Sequence, residues 1–127
     1  MSRRKGFTLV ELVMIIVLLG ILAAVAIPRY FNLSTDATQA AEKGVLGGVR
    51  AGISTYFAQN KAFPSNLDSI ATYPVSCVAA TPCFDTVLAQ GGVTEGGWIK
   101  TAANTYTGPT GTIYTYTPTG TDAGSFK

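Results

Sequence analysis

Lys5-Gly6-Phe7-Thr8-Leu9-Val10-Glu11 joins a basic, glycine-terminated leader to an apolar run that carries one carboxylate near its start. Residues 12–27 contain no further charge and no strongly polar side chain, so Glu11 heads a segment long enough to cross a bilayer. An acidic side chain deep in a membrane helix costs roughly 2.5–3.5 kcal/mol, and less near the interface. A carboxylate kept there needs a partner, and the partner decides the function. The apolar run of residues 7–27 is longer than the about 7–15 residues of a secretory signal core, and no small-x-small cleavage site follows it. A retained transmembrane helix is therefore expected.

The 127 residues leave room for one small domain besides this anchor, near the size at which a core needs extra support. The formal charge of +2 is misleading, because Arg3, Arg4 and Lys5 supply three of the nine basic side chains. Without residues 1–6, six basic side chains face seven acidic ones, a net of −1. That balance provides no basic field for nucleic acid, and no nucleic-acid partner is predicted. The leader cluster reads instead as an orienting signal that keeps the N-terminus in the cytoplasm and sends everything after Ile27 across the membrane.

Cys77 and Cys83 both fall in the part expected to be exported, where oxidising conditions favour a disulfide closing a short loop. Two buried free thiols are the alternative. A metal site is disfavoured because the chain has no His to complete a ligand set, and no cofactor is implied.

From Phe7 to Gln59 the pattern is helical, first apolar all round and then on one face. After Pro28, the residues Tyr30, Leu33, Ala37, Ala41, Val45, Val49, Ile53 and Tyr56 recur at steps of three and four, with Asp36, Gln39, Lys43 and Arg50 mostly between them. The stripe needs a cover, which the later half of the chain supplies. Gly44, Gly47, Gly48 and Gly52 each cost a helix interior up to about 1 kcal/mol relative to Ala, so close packing of a sheet or a neighbouring helix is expected against them. Pro28 removes a backbone donor, and with Gly20 it predicts a kink or local unwinding near residues 24–28.

Pro64 and Asn66 end the helical pattern, and residues 67–73 read as one short helical turn before Pro74. Gly91-Gly92, Gly96-Gly97 and Gly108-Pro109 then punctuate runs of strand type, clearest at Trp98-Ile99-Lys100-Thr101 and Thr112-Ile113-Tyr114-Thr115-Tyr116-Thr117. The fold class expected is α+β: a long N-terminal helix, half membrane-spanning and half amphipathic, packed against a small antiparallel sheet. The boundaries are 1–6 for the leader, 7–59 for the helix (7–27 transmembrane, 28–59 amphipathic) and 60–127 for a β-rich head.

Gly6-Phe7-Thr8-Leu9-Val10-Glu11-Leu12, the basic leader before it, the apolar run after it and Ala26-Ile27-Pro28 near its end resemble the N-terminus of type IV pilins and type II secretion pseudopilins. The stretch Pro28-Arg29-Tyr30-Phe31-Asn32-Leu33-Ser34-Thr35-Asp36-Ala37 further resembles the MSHA-type pilin branch. The resemblance implies cleavage between Gly6 and Phe7 by a prepilin peptidase and N-methylation of Phe7. It also implies pairing of the Glu11 carboxylate of one subunit with the Phe7 amine of its neighbour, and a helix that melts locally between Gly20 and Pro28 in the filament. The expected partners are further copies of the chain, the peptidase, an inner-membrane assembly platform and, before assembly, the membrane.

Catalysis finds no support in the residues: there is no His, no thiol beside a base and no Ser with a triad partner, and Asp68, Asp85, Glu95 and Asp122 are scattered. No calcium loop like that of major type II pseudopilins is visible, and residues 77–83 enclose a shorter loop than the disulfide of many type IVa pilins. The expectation is a structural pilin of an extracellular type IV pilus, serving adhesion, motility or surface attachment. A pseudopilin of a secretion or DNA-uptake system is the alternative.

Overall fold

A computed structural model describes residues 5–127. Arg3 and Arg4 of the expected leader lie outside the described residues. The chain divides into two compact units, Met1–Ala37 and Thr38–Lys127. One helix, α1 (Leu9–Asn60), contributes to both. Five short strands follow: β1 (Val75–Ser76), β2 (Ile99–Ala102), β3 (Thr105–Thr107), β4 (Ile113–Thr117) and β5 (Ser125–Phe126). The α+β class expected from the sequence is the one the chain adopts.

Each end of α1 is fixed by local chemistry. Thr8 stands at the N-cap and Glu11 three residues later, where their side chains bond reciprocally to each other's backbone N–H groups. At the other end Lys61 takes a left-handed φ of 57° and its N–H donates to the Phe57 carbonyl at 2.8 Å, an αL termination. The Phe57 and Phe63 rings stack across that end with centroids 4.5 Å apart.

In the first unit, every side chain from Leu9 to Val25 is exposed, and the helix is long and apolar enough to cross a membrane. Gly20 and Pro28 both lie within the helical span.

The second unit is a meander, β1-β2-β3-β4-β5, with every neighbour antiparallel. Strand alternation sends Lys100, Tyr106, Tyr116 and Phe126 inward, while Ile99, Thr101, Ile113 and Thr115 face out. Inside lie Val49 and Ile53 of α1 with Leu67, Phe84, Trp98, Tyr106, Tyr116 and Phe126. Phe84 is central, with ring centroids 4.5 Å from Tyr106, 5.4 Å from Trp98 and 5.6 Å from Phe126.

Three local expectations are corrected. Residues 67–73 form bends and no helical turn, because Asp68 turns inward: its Oδ1 accepts the Ile70 N–H at 3.1 Å, a backbone bond made in place of a helical one. The glycines of α1 do not share one explanation. A Cβ on Gly52 would overlap the backbone carbonyl of Val87, and one on Gly48 would touch Leu88 at 3.6 Å, whereas nothing comes within 4 Å at Gly44 or Gly47. The close approach is thus made by the segment after Cys83, not by a strand. The covered stripe also differs, since Ala41 is exposed and the buried position beside it is Glu42.

Candidate functional site

The Gly6-Phe7 peptide precedes α1 in a stretch without regular structure, and Phe7 is 85% exposed. Beyond it, Thr8 N–H donates to Glu11 Oε2 at 2.9 Å and Thr8 Oγ1–H to the same oxygen at 3.0 Å. In return Thr8 Oγ1 accepts the Glu11 N–H at 3.3 Å. Among the described residues both donors to the carboxylate use Oε2, and none is bonded to Oε1. A cut between Gly6 and Phe7 would turn the Phe7 nitrogen into an amine while leaving the Thr8 amide intact. Such a cut would remove none of the cap's donors or acceptors, and the Glu11 carboxylate lies four residues from the nitrogen it would free. Sequence reasoning assigned Glu11 to an intermolecular role and overlooked Thr8, although Thr-x-x-Glu before an apolar run is a legible capping signature.

The sequence-derived residues do not form one site. Phe7 and Glu11 line one depression at the head of α1, Gly20 and Pro28 lie further along it, and Cys77 and Cys83 belong to the other unit. The two cysteines form a disulfide with Cα atoms 5.2 Å apart. Both are buried, and Cys83 exchanges backbone hydrogen bonds with Val93 at 3.0 and 2.7 Å, tying the disulfide loop to the segment before Trp98.

Two polar clusters that the sequence did not reveal organise the second unit. Asp68, read as one of several scattered acids, is buried and accepts Lys100 Nζ at 2.5 Å on Oδ1 and the Tyr106 hydroxyl at 2.7 Å on Oδ2. Lys100 also donates to the Ile70 carbonyl at 2.9 Å. Burial, followed by the bond to Asp68 and its charge, raises the Tyr106 phenol far above its ordinary value of 10. Tyr116, buried and donating to the Pro64 carbonyl at 2.6 Å, is pushed up to about 12, chiefly by that burial.

The second cluster surrounds Glu42. Its carboxylate accepts the Thr110 N–H at 2.8 Å, the Thr110 hydroxyl at 2.8 and 2.9 Å, and the Tyr114 hydroxyl at 2.6 Å. Burial works to raise its pKa, but the hydrogen bonds from Tyr114 and Thr110 outweigh it and hold the carboxyl below its ordinary value of 4.5. The bond to Glu42 raises the Tyr114 phenol in turn. These contacts tie the β3–β4 turn to α1, and Gly108 in that turn has no room for a side chain beside the carboxylate.

Residues 1–27 match the family described as the prokaryotic N-terminal methylation motif. Among similar proteins, the type IV narrow pilus major component PilA5 of Thermus thermophilus is 41% identical over 63 residues, 50% of this chain and 54% of that protein. Type II secretion system core protein G of Pseudomonas aeruginosa is 37% identical over 67 residues, 51% of this chain and 47% of that protein. The type IV major pilin protein PilE1 of Neisseria gonorrhoeae is 34% identical over 92 residues, 72% of this chain and 42% of that protein. The chain spans about half the length of the curated relatives it matches. No solved structure matches it significantly. The similarity to type IV pilins and to a type II secretion core protein agrees with the resemblance read from residues 6–12.

Proposed function

We propose that this chain is a pilin, a structural subunit that polymerises through its N-terminal helix into an extracellular type IV pilus. One observation carries the reading: the segment matching the N-terminal methylation motif runs into a helix whose apolar side chains from Leu9 to Val25 are all exposed. Such a surface needs lipid or other helices, and the same surface serves for membrane storage and then for a filament core.

On this reading residues 1–6 are the leader, 7–59 the helix and 60–127 the head. A prepilin peptidase cuts between Gly6 and Phe7, and the new Phe7 terminus is N-methylated. The subunit waits in the inner membrane with its N-terminus cytoplasmic, and an assembly platform lifts it into the filament. There the Glu11 carboxylate receives the Phe7 amine of the neighbouring copy, which fixes register between subunits more than it adds stability. Gly20 and Pro28 supply the stretch that unwinds on assembly, since the Pro28 nitrogen has no hydrogen to give the Ala24 carbonyl. The role is structural, with no catalytic residues.

The similarity to core protein G of a type II secretion system supports a second reading, a pseudopilin whose short filament stays periplasmic. Shearing cells and sequencing the released filaments distinguishes the two. Long surface filaments whose subunits begin at N-methylated Phe7 are expected. Absence of this chain from sheared filaments, with the processed form held in the envelope, would overturn the pilus assignment in favour of the pseudopilin.

A further inference from the structure

Along α1 as far as Ala37 the charged side chains are Glu11, Arg29 and Asp36, and all three are exposed. Arg29 lies eighteen residues beyond Glu11, which is about five turns at ~3.6 residues per turn, so the two share one helix face. Asp36 lies seven residues further, about two turns, and returns to that face within roughly 20°. In the continuous helix the three charges thus share one face, and Arg29 and Asp36 both lie beyond Pro28, outside the stretch proposed to unwind. Neither Arg29 nor Asp36 takes part in a hydrogen bond or ion pair among the described residues, where the ion pairs are Lys100 with Asp68 and Lys127 with Asp122. Seven residues are also too far for the two to reach each other along their own helix, where pairs form at spacings of three or four.

We propose that this face is a docking seam for a second copy of the chain, in which Arg29 of one copy pairs with Asp36 of the next. The inference rests on the polymerisation proposed above and adds a second charged contact between neighbours. Two parallel copies in register would set Glu11 against Glu11, Arg29 against Arg29 and Asp36 against Asp36, a repulsion at every charge. Displacing one copy toward the C-terminal end of the other by seven residues, ~10 Å of rise, brings its Arg29 level with Asp36. The Phe7–Glu11 pair asks for a displacement of similar size: the amine precedes Glu11 by four residues, or ~6 Å along a helix. In both pairs the cation is N-terminal to the anion, and the long arginine arm spans the few ångströms between the two displacements. A contact in which Arg29 meets Asp36 is heterologous, and because each copy is also displaced along the axis it repeats without closing into a ring and yields a filament.

Charge reversal tests the pairing in cells that assemble the unsubstituted chain. Arg29→Asp and Asp36→Arg are each expected to cut filament yield at least tenfold, and the double exchange to restore most of it. A thiol assay gives an independent reading, because the native cysteines are buried and bonded to each other. Chains carrying Arg29→Cys, mixed with chains carrying Asp36→Cys, should cross-link with a short bis-maleimide, and neither variant should cross-link to itself. Full assembly of both single reversals, or cross-linking of Arg29→Cys chains to one another as readily as to Asp36→Cys chains, would overturn the seam and leave the polymerisation reading standing. Failure of the unsubstituted chain to enter any filament would overturn both.

Discussion

Glu42 is a carboxylate whose surroundings set the acid limit of the second unit. Its carboxyl is held below the ordinary value of 4.5 by hydroxyl and amide donors, so in the interval between its folded and unfolded pKa the native state binds fewer protons than the unfolded chain. Its stabilising contribution is complete above about 4.5 and is lost as pH falls through the folded value. Thermal unfolding of the detergent-solubilised chain should therefore show Tm declining with acidification below 4.5, and Glu42→Gln should flatten that decline while costing ~1–3 kcal/mol at neutral pH. Asp68 and Lys100 offer a different test. Lys100→Met would strand a buried carboxylate and should cost about 3–5 kcal/mol, whereas replacing both partners with apolar residues should cost much less. A single variant as stable as the parent in denaturant titration would refute the buried pair. Neither residue announced itself in the sequence: Asp68 and Lys100 are thirty-two positions apart, and only the fold brings a strand lysine under the aspartate of an irregular segment.

At the scale of elements, α1 was the most legible part of the chain, because length and apolar content alone identify a helix of this kind. The second half of α1 was legible in its period but not in its partners. Four glycines looked like one packing surface, yet their environments differ, and substitution separates them. Gly44→Ala should raise stability by ~0.5–1 kcal/mol, since a methyl group there meets nothing. Gly52→Ala should lower it by ~1–3 kcal/mol, because its Cβ would push against the Val87 carbonyl. Equal effects in thermal melts of the two variants would contradict the observed environments. The strands were legible where the run was long enough to alternate, as in β2 and β4. β1 and β5 have two residues each, too few for a period to register, and β3 has three. Their pairing is supplied by the neighbours, with β5 held beside β4 through Tyr116 opposite Phe126.

For the whole molecule, Gly6, Phe7 and Glu11 could be singled out from the sequence because they are local, lying within six positions with no tertiary folding needed to bring them together, although the Thr8 cap between them was missed. Glu11→Ala should leave a processed, membrane-resident subunit that assembles poorly, and normal filament yield in that variant would refute the pairing. Cys77→Ser is expected to destabilise the second unit by about 2 kcal/mol from the lost loop constraint, measured against the oxidised parent in denaturant. The exposed helix carries one more consequence. Each large apolar side chain moved into water costs about 1.5–3 kcal/mol, and residues 9–27 present well over ten of them. A subunit released from a filament into water would thus face a penalty on the order of 20 kcal/mol or more, whereas one passed into a bilayer would face little of it. A filament of such subunits should therefore not dissolve into water from its tip, and it can shorten only where a membrane receives what it sheds.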